Sequence, residues 1–320
     1  MAFSDSHVDS RASAALSPAV PKTAGAPAGP GVRRSAAQPG PRTPAAPRTS
    51  DAAAVGTATT ADPASLALPI RDQIVLVTGG ARGLGAQFVR AFLAEGARVV
   101  INFHGSSDAA RDAADAAGER AVSIRADVRD VQQVAALFDE AADAFGAPVT
   151  TIVNNALSNF SFNGDARPGA DALTWAHLSA QFEGTVRAAL NTVQAALPGM
   201  RAAGFGRIIN VGTNLFQNPV VPYHDYTAAK AALLALTRTL SHDLGPDGVT
   251  VNMISGGLLR TTDASSATPE AVFDFIAAGT PLRRVTTPQE FADAALFFAS
   301  PWSRAVTGQN LIVDGGLVKG

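Results

Sequence analysis

Tyr226 and Lys230 stand four residues apart in Tyr226-Thr-Ala-Ala-Lys230. On a helix that spacing puts both side chains on one face, with the ammonium close to the phenol. A nearby cation favours the phenolate and lowers the phenol from its usual pKa of ~10, which makes the side chain a proton donor near neutral pH. The pair gains meaning from a second feature far upstream, the turn Thr78-Gly79-Gly80-Ala81-Arg82-Gly83-Leu84-Gly85. Glycines at 79, 83 and 85 let backbone N–H groups approach a pyrophosphate, whose charge a following helix N-terminus stabilises. The turn follows the apolar run Ile74–Val77 and opens a helical stretch, the setting that a dinucleotide-binding loop requires.

The elements that must position these residues are legible as an alternation. Strands are expected at Ile74–Val77, Arg98–Phe103, Ala121–Arg125, Thr151–Asn154, Arg207–Val211, Thr250–Ile254 and Asn310–Val313. They are rich in Val and Ile and apolar on both faces, as parallel strands covered by helices should be. Helices are expected between them, at Ala86–Glu95, Val131–Phe145, Thr185–Leu197, Thr227–Leu244 and Pro288–Ala299. Strand alternating with helix implies an α/β fold, a doubly wound parallel sheet of Rossmann type in a single domain spanning 69–320.

Residues 1–68 are a different polymer. Ten of the 20 prolines fall within the first 70 residues, with Phe3 as the lone aromatic. Such a composition cannot bury enough apolar surface to offset the entropy of ordering, so a disordered Ala/Pro-rich extension is expected. It lacks the apolar core of a secretory signal, which points to the cytoplasm. A net charge of −2 gives no general pull toward nucleic acid or anionic membranes. The absence of cysteine excludes disulfides, thiol nucleophiles and Cys-ligated zinc. The five histidines show no metal-ligand spacing, so no metal site is expected.

From Arg71 to Gly320 the chain resembles the short-chain dehydrogenase/reductases, and is most similar to 3-oxoacyl-[acyl-carrier-protein] reductases. The matching motifs are the Thr78–Gly85 turn, Asp127-Val128, Asn154-Asn155-Ala156, Tyr226 with Lys230, Asn252 to Thr261, and Gly308-Gln309 through Val313-Asp314-Gly315-Gly316. Each is short, and their order is what makes the likeness specific. The resemblance implies a nicotinamide cofactor held by Gly79, Arg82, Gly83, Leu84, Gly85, Asp127, Val128, Asn154, Ala156 and Gly257, with Tyr226 and Lys230 reaching its nicotinamide end. Asp127 and Val128 would flank the adenine. Tyr226 would donate a proton to a carbonyl oxygen as hydride arrives from the nicotinamide. Lys230 would bind the ribose hydroxyls and hold the phenol's pKa down.

NAD enzymes usually carry an acid at the end of the second strand to bind the ribose hydroxyls. Here that strand ends Ile101-Asn102-Phe103-His104. Arg82 offers a guanidinium to a 2′-phosphate, so NADPH is expected. The implied partners are a small-molecule carbonyl substrate, thioesters on carrier protein or CoA included, and a second copy of the chain in a homodimer or homotetramer. The last two long helices before the sixth strand would form the shared face.

Several positions depart from the family pattern. The serine that hydrogen-bonds the carbonyl is Thr213, which keeps the hydroxyl but adds a stiffening methyl. The Asn that feeds protons to the Lys falls on Thr185 when counted back from Ala195–Met200, and on Phe182 when counted forward from Trp175. Leu157 stands where glycine is usual. Gly256 replaces a proline and is expected to loosen the base of a substrate lid over Leu258–Thr280. Val272, Phe273, Phe275 and Ile276 give that lid an apolar face, suited either to a hydrophobic acyl substrate or to packing on its own core. His224 belongs at the pocket mouth or on the surface.

Overall fold

The computed structural model describes residues 67–157, 160, 162, 167–262, 265–266 and 268–319. The extension expected over 1–68 therefore lies outside the described residues, apart from Ala67 and Leu68. Seven strands form one sheet: β1 Ile74–Val77, β2 Arg98–Phe103, β3 Ala121–Arg125, β4 Thr151–Asn154, β5 Gly206–Thr213, β6 Val249–Gly256 and β7 Asn310–Val313. All are parallel, in the order β3-β2-β1-β4-β5-β6-β7. This is the doubly wound arrangement expected from the alternation. The order reverses between β1 and β4, and the crevice above their C-terminal ends is where such sheets bind ligands.

Among the described residues, eight α-helices accompany the sheet: α1 Gly83–Ala94, α2 Ser107–Ala117, α3 Val131–Phe145, α4 Trp175–Phe182, α5 Ala188–Ala203, α6 His224–Leu244, α7 Glu270–Gly279 and α8 Pro288–Ala299. On one face α1 and α8 bury Phe88, Phe92, Phe291 and Phe298. Each ring contributes roughly 1.5–3 kcal/mol of burial, and Phe88 meets Phe291 edge-on at 6.2 Å. On the other face α3 and α5 pack Leu137, Ala141, Val193, Ala196 and Met200 over Ile74, Leu76, Ile152 and Ile208. Local signals start and stop these helices. Asp130 accepts from the N–H groups of Gln132 and Gln133, Gly146 ends α3 in the left-handed region, and Thr287 with Glu290 forms a capping box ahead of Pro288.

The structure differs from expectation where apolar periodicity was weakest. α2 escaped detection because Ala110 and Ala114 are its only buried residues among acids and small residues, and α4 because it is short. The stretch expected to be one helix from Thr185 begins with a wide π-helical turn, Glu183–Arg187, and then runs through Pro198 to Ala203. On α7 Phe273 is buried while Phe275 is 81% exposed, so the apolar face expected for the lid is split between interior and solvent.

Gly256 reverses its expected role. It is the buried last residue of β6, in register with Thr213 and Val313. A Cβ there would lie 2.8 Å from the Phe291 ring, so the glycine admits that ring against the strand end instead of loosening a lid. Gly256→Ala should therefore destabilise the fold by about 1–3 kcal/mol through overpacking, more than the ~0.4–1 kcal/mol gained from a stiffer unfolded chain. The urea midpoint should fall with an unchanged slope.

Candidate active site

The helix carrying Tyr226 starts three residues earlier than expected, so Tyr226 and Lys230 occupy its first two turns. Asp225 supplies a negative charge near that helix's positive end. Tyr226 and Lys230 are 5% and 3% exposed. Lys230 Nζ donates to the Val211 carbonyl oxygen at 2.6 Å and lies 5.8 Å from the centre of the Tyr226 ring. Thr213, the last residue of β5, shares a side-chain hydrogen bond with the phenol and also accepts from Leu215 N–H at 3.3 Å. Tyr226 and Lys230 thus lie together as their spacing implied, and Thr213 meets them as the family resemblance implied.

The electrostatics do not follow the expected sign. Burial pushes the Tyr226 phenol up to about 12, over the opposing hydrogen bond from Thr213. Burial also brings the Lys230 ammonium down to about 8. Desolvation decides the direction here, and aromatic rings form part of the dry wall: Phe160 stacks on the Tyr226 ring at 4.5 Å, with Phe162 and Tyr223 edge-on at 5.6 and 6.5 Å.

Thr185 sits in the π-helical turn and lines a cavity of about 10 Å³ with Thr78, Val128, Asn154, Ala156 and Lys230. Its Oγ1 is buried and finds no partner in the structure. Of the two positions reached by counting, Thr185 lines this cavity and Phe182 does not.

On the cofactor side, Gly79 and Gly83 adopt positive φ. A Cβ on Gly85 would collide with the Gly79 carbonyl oxygen. α1 opens with Gly83, Leu84 and Gly85 and no side-chain cap from Arg82, so its first N–H groups suit an anion. The turn is tied to β4 by Asn155, whose Nδ2 donates to the Thr78 carbonyl at 2.9 Å, while Thr78 Oγ1 accepts from the N–H groups of Asn155 and Ala156. These residues fit a dinucleotide.

Asp127 is gripped by Arg129 through both carboxylate oxygens and is thereby lowered to about 2. Asn154 turns out to be tied up within the protein: its Nδ2 donates to Asn210 Oδ1 at 2.9 Å and its Oδ1 accepts from Thr192 Oγ1 at 2.7 Å. Gly257 packs against Asn214, where a Cβ would approach Nδ2 to 2.9 Å. Arg82 is exposed beside the turn, and His224 is exposed along an open groove with Pro219, Val220 and Pro222.

Arg125 and Asp225 make contacts that no motif signalled, and Asp314, part of the closing motif, has a partner that the motif did not show. Arg125 ends β3 opposite Phe103, and its Nε donates to the His104 carbonyl at 3.0 Å, bringing its guanidinium to the tip of β2. Register between adjacent strands would have found it. Asp314 accepts from Asn214 Nδ2 at 2.9 Å and from Gly316 and Val318 N–H, anchoring the residue after Thr213. Asp225 pairs with Arg167. No sequence signal marks either of these two links.

A family model described as enoyl-(acyl carrier protein) reductase matches residues 79–318. Together with the fold and the convergent Thr213, Tyr226 and Lys230, this places the chain in the short-chain dehydrogenase/reductase family, whose members are oxidoreductases acting on hydroxyl and carbonyl groups with a nicotinamide nucleotide. The chain is 34% identical over 250 residues to a 3-alpha-(or 20-beta)-hydroxysteroid dehydrogenase of Mycobacterium bovis, covering 78% of this chain and 90% of that protein. It is 33% identical to a probable galactose dehydrogenase of Rhizobium meliloti, covering 80% and 98%. It is 35% identical to a cis-4-hydroxycyclohexanecarboxylate dehydrogenase of Sinomonas cyclohexanicum, covering 77% and 96%.

Because Asn154 Nδ2 donates to the buried Asn210 Oδ1, Asn154→Ala should cost about 1–3 kcal/mol by stranding that acceptor, while Thr192 keeps the Ala189 carbonyl. Thermal unfolding of the variant should shift down even without nucleotide, and an unshifted transition would show that the side chain serves the ligand instead.

Proposed function

We propose that the protein uses NADPH to reduce a ketone on a hydrophobic small molecule to a secondary alcohol, with Tyr226 as proton donor. The carrying observation is the buried Tyr226 phenol, hydrogen-bonded to Thr213 and one turn from Lys230, at the carboxyl ends of the strands beside the glycine turn.

Gly79, Gly83, Leu84 and Gly85 would hold the pyrophosphate, Asp127 and Val128 the adenine side, and Asn154, Ala156 and Gly257 the walls around the nicotinamide. When bound, the reduced nicotinamide supplies the hydride. Tyr226 then gives its proton to the carbonyl oxygen as negative charge develops there. Thr213 donates a second hydrogen bond to the same oxygen. Lys230, anchored on Val211, places a positive charge near the phenol as it becomes phenolate. Thr185 and Lys230 line one cavity of about 10 Å³, the lower limit for a single water, and a water held there would give Lys230 a route for replacing the proton.

NADPH is favoured over NADH by Arg82 in the glycine turn and by Arg125 at the end of β2, a strand that itself ends without the acid that would bind ribose hydroxyls and repel a 2′-phosphate. A 3-oxoacyl thioester, on carrier protein or CoA, is the first substrate class. The family description supports an acyl substrate, and the motifs resemble those of 3-oxoacyl reductases. The names of the relatives favour a second reading, oxidation of a hydroxyl on a steroid, sugar or other ring. A homodimer or homotetramer joined through α5 and α6 follows from the family resemblance.

Loss of the reduced-nicotinamide absorbance with a 3-oxoacyl thioester tests the reading. NADPH should outperform NADH, and Arg125→Ala should narrow that preference. Tyr226→Phe should lower kcat by ~10²–10⁴-fold with NADPH binding intact. Turnover that survives in Tyr226→Phe would sink the assignment.

The pH profile gives a separate check. Lys230 is charged below about 8 and neutral above it, whereas the phenol keeps its proton to about 12. kcat/KM for reduction should therefore fall as pH rises through about 8. A profile flat across that range would show that the ammonium's charge is dispensable.

A further inference from the structure

Arg167 and Asp225 form an ion pair at 2.5 Å, with side chains 15% and 6% exposed. Asp225 immediately precedes Tyr226 on α6. The Arg167 guanidinium lies 4.4 Å from the centre of the Phe160 ring, and Phe160 stacks on Tyr226 with centroids 4.5 Å apart and planes 27° apart. Guanidinium, Phe160 ring and phenol ring are thus linked in succession, and the Asp225 carboxylate joins the first to the chain next to the last. Phe162 and Tyr223 close the set, each edge-on to Phe160, at 5.0 and 5.2 Å. An arginine suits this place because its planar cation stacks on an aromatic face while one edge bonds a carboxylate.

We propose that Arg167 is a positioning residue: fastened by Asp225, it holds the Phe160 ring against Tyr226 and so selects which face of a prochiral ketone is reduced. This consequence rests on the reductase reading, although the clasp itself does not. In that reading the phenol would fix the carbonyl oxygen, and a nicotinamide held at the glycine turn would fix the side from which hydride arrives. What remains free is a half-turn of the ketone about its C=O axis, which exchanges the two substituents and presents the opposite face. A ring held rigidly beside the phenol penalises the bulkier substituent on that side. A ring free to shift penalises neither orientation strongly. Steric discrimination by one apolar wall spans about 10–200-fold, which sets the scale of the effect.

The test uses the full chain with NADPH and acetophenone, whose two substituents differ greatly in size, and reads the enantiomer ratio of the 1-phenylethanol formed. The parent should favour one enantiomer by at least about tenfold, and Arg167→Ala and Phe160→Ala should bring the ratio below about threefold. Arg167→Lys, which keeps the charge but not the planar stack, should fall between. Because Arg167→Ala leaves Asp225 as a buried unpaired charge, the double variant Arg167→Ala/Asp225→Asn is measured beside it and should lose selectivity equally.

A second arm needs no turnover. The chain has two tyrosines, so Tyr223→Phe leaves Tyr226 as the sole one. Its ring-proton resonances should be displaced by the stacked Phe160 and return toward free tyrosine when Arg167 is replaced. Resonances unmoved by that replacement overturn the positioning role. Moved resonances with an unchanged enantiomer ratio overturn its link to face selection. A parent that turns over neither acetophenone nor the thioester refutes the reductase reading, and the resonance arm then decides the role of Arg167 alone.

Discussion

The hydrogen bond from Lys230 Nζ to the Val211 carbonyl joins the two elements on which the site depends. Lys230 belongs to α6 with Tyr226, and Val211 to β5 with Thr213. One contact therefore sets the distance between proton donor and neighbouring hydroxyl. It also compensates an ammonium that the surrounding protein has stripped of most of its water. A buried cation without such an acceptor would be expensive enough to expel or neutralise itself, and the lowered Lys230 pKa shows how far that tendency has gone.

Polar threads running through an apolar sheet hold this pair in register. Asn154 bonds Asn210 across β4 and β5, and Asn210 Nδ2 reaches Thr237 on α6 at 2.8 Å. Thr192 draws α5 to the same asparagine. Each such bond is worth little net, but each group would be costly if left alone inside. The sheet, α5 and α6 thus have few alternative ways to fit together. Asp314 extends the principle from the end of β7 to Asn214, so that a strand distant in sequence steadies the segment leaving Thr213.

Most of the architecture was legible because parallel strands covered on both faces are continuous apolar runs. Strands such as Ile74–Val77 and Thr151–Asn154 need nothing beyond that rule. β5 and β6 proved longer than their apolar runs, since Gly212, Thr213, Ser255 and Gly256 add small or polar residues that only cross-strand pairing makes into strand. The Tyr226 and Lys230 spacing gave the proximity but the wrong direction for the phenol's pKa. Proximity on a helix is local, whereas desolvation comes from Phe160, Phe162 and Tyr223, whose convergence no local pattern encodes. The Arg167–Asp225 pair and the Arg125 contact were hidden for the same reason.

The wide turn at Glu183–Arg187 is also a statement about spacing. A π-helical turn holds a surplus residue within an otherwise α-helical course. The bulge takes up that residue locally, so α4 and α5 keep nearly the facing of one unbroken helix. Excising it would restore ordinary winding and leave Trp175 through Phe182 against α6. A one-residue deletion within the regular winding of α5 has no such reserve: at 3.6 residues per turn it rotates everything on its amino-terminal side by about 100°. The wide turn is where this stretch of chain can change length without changing face.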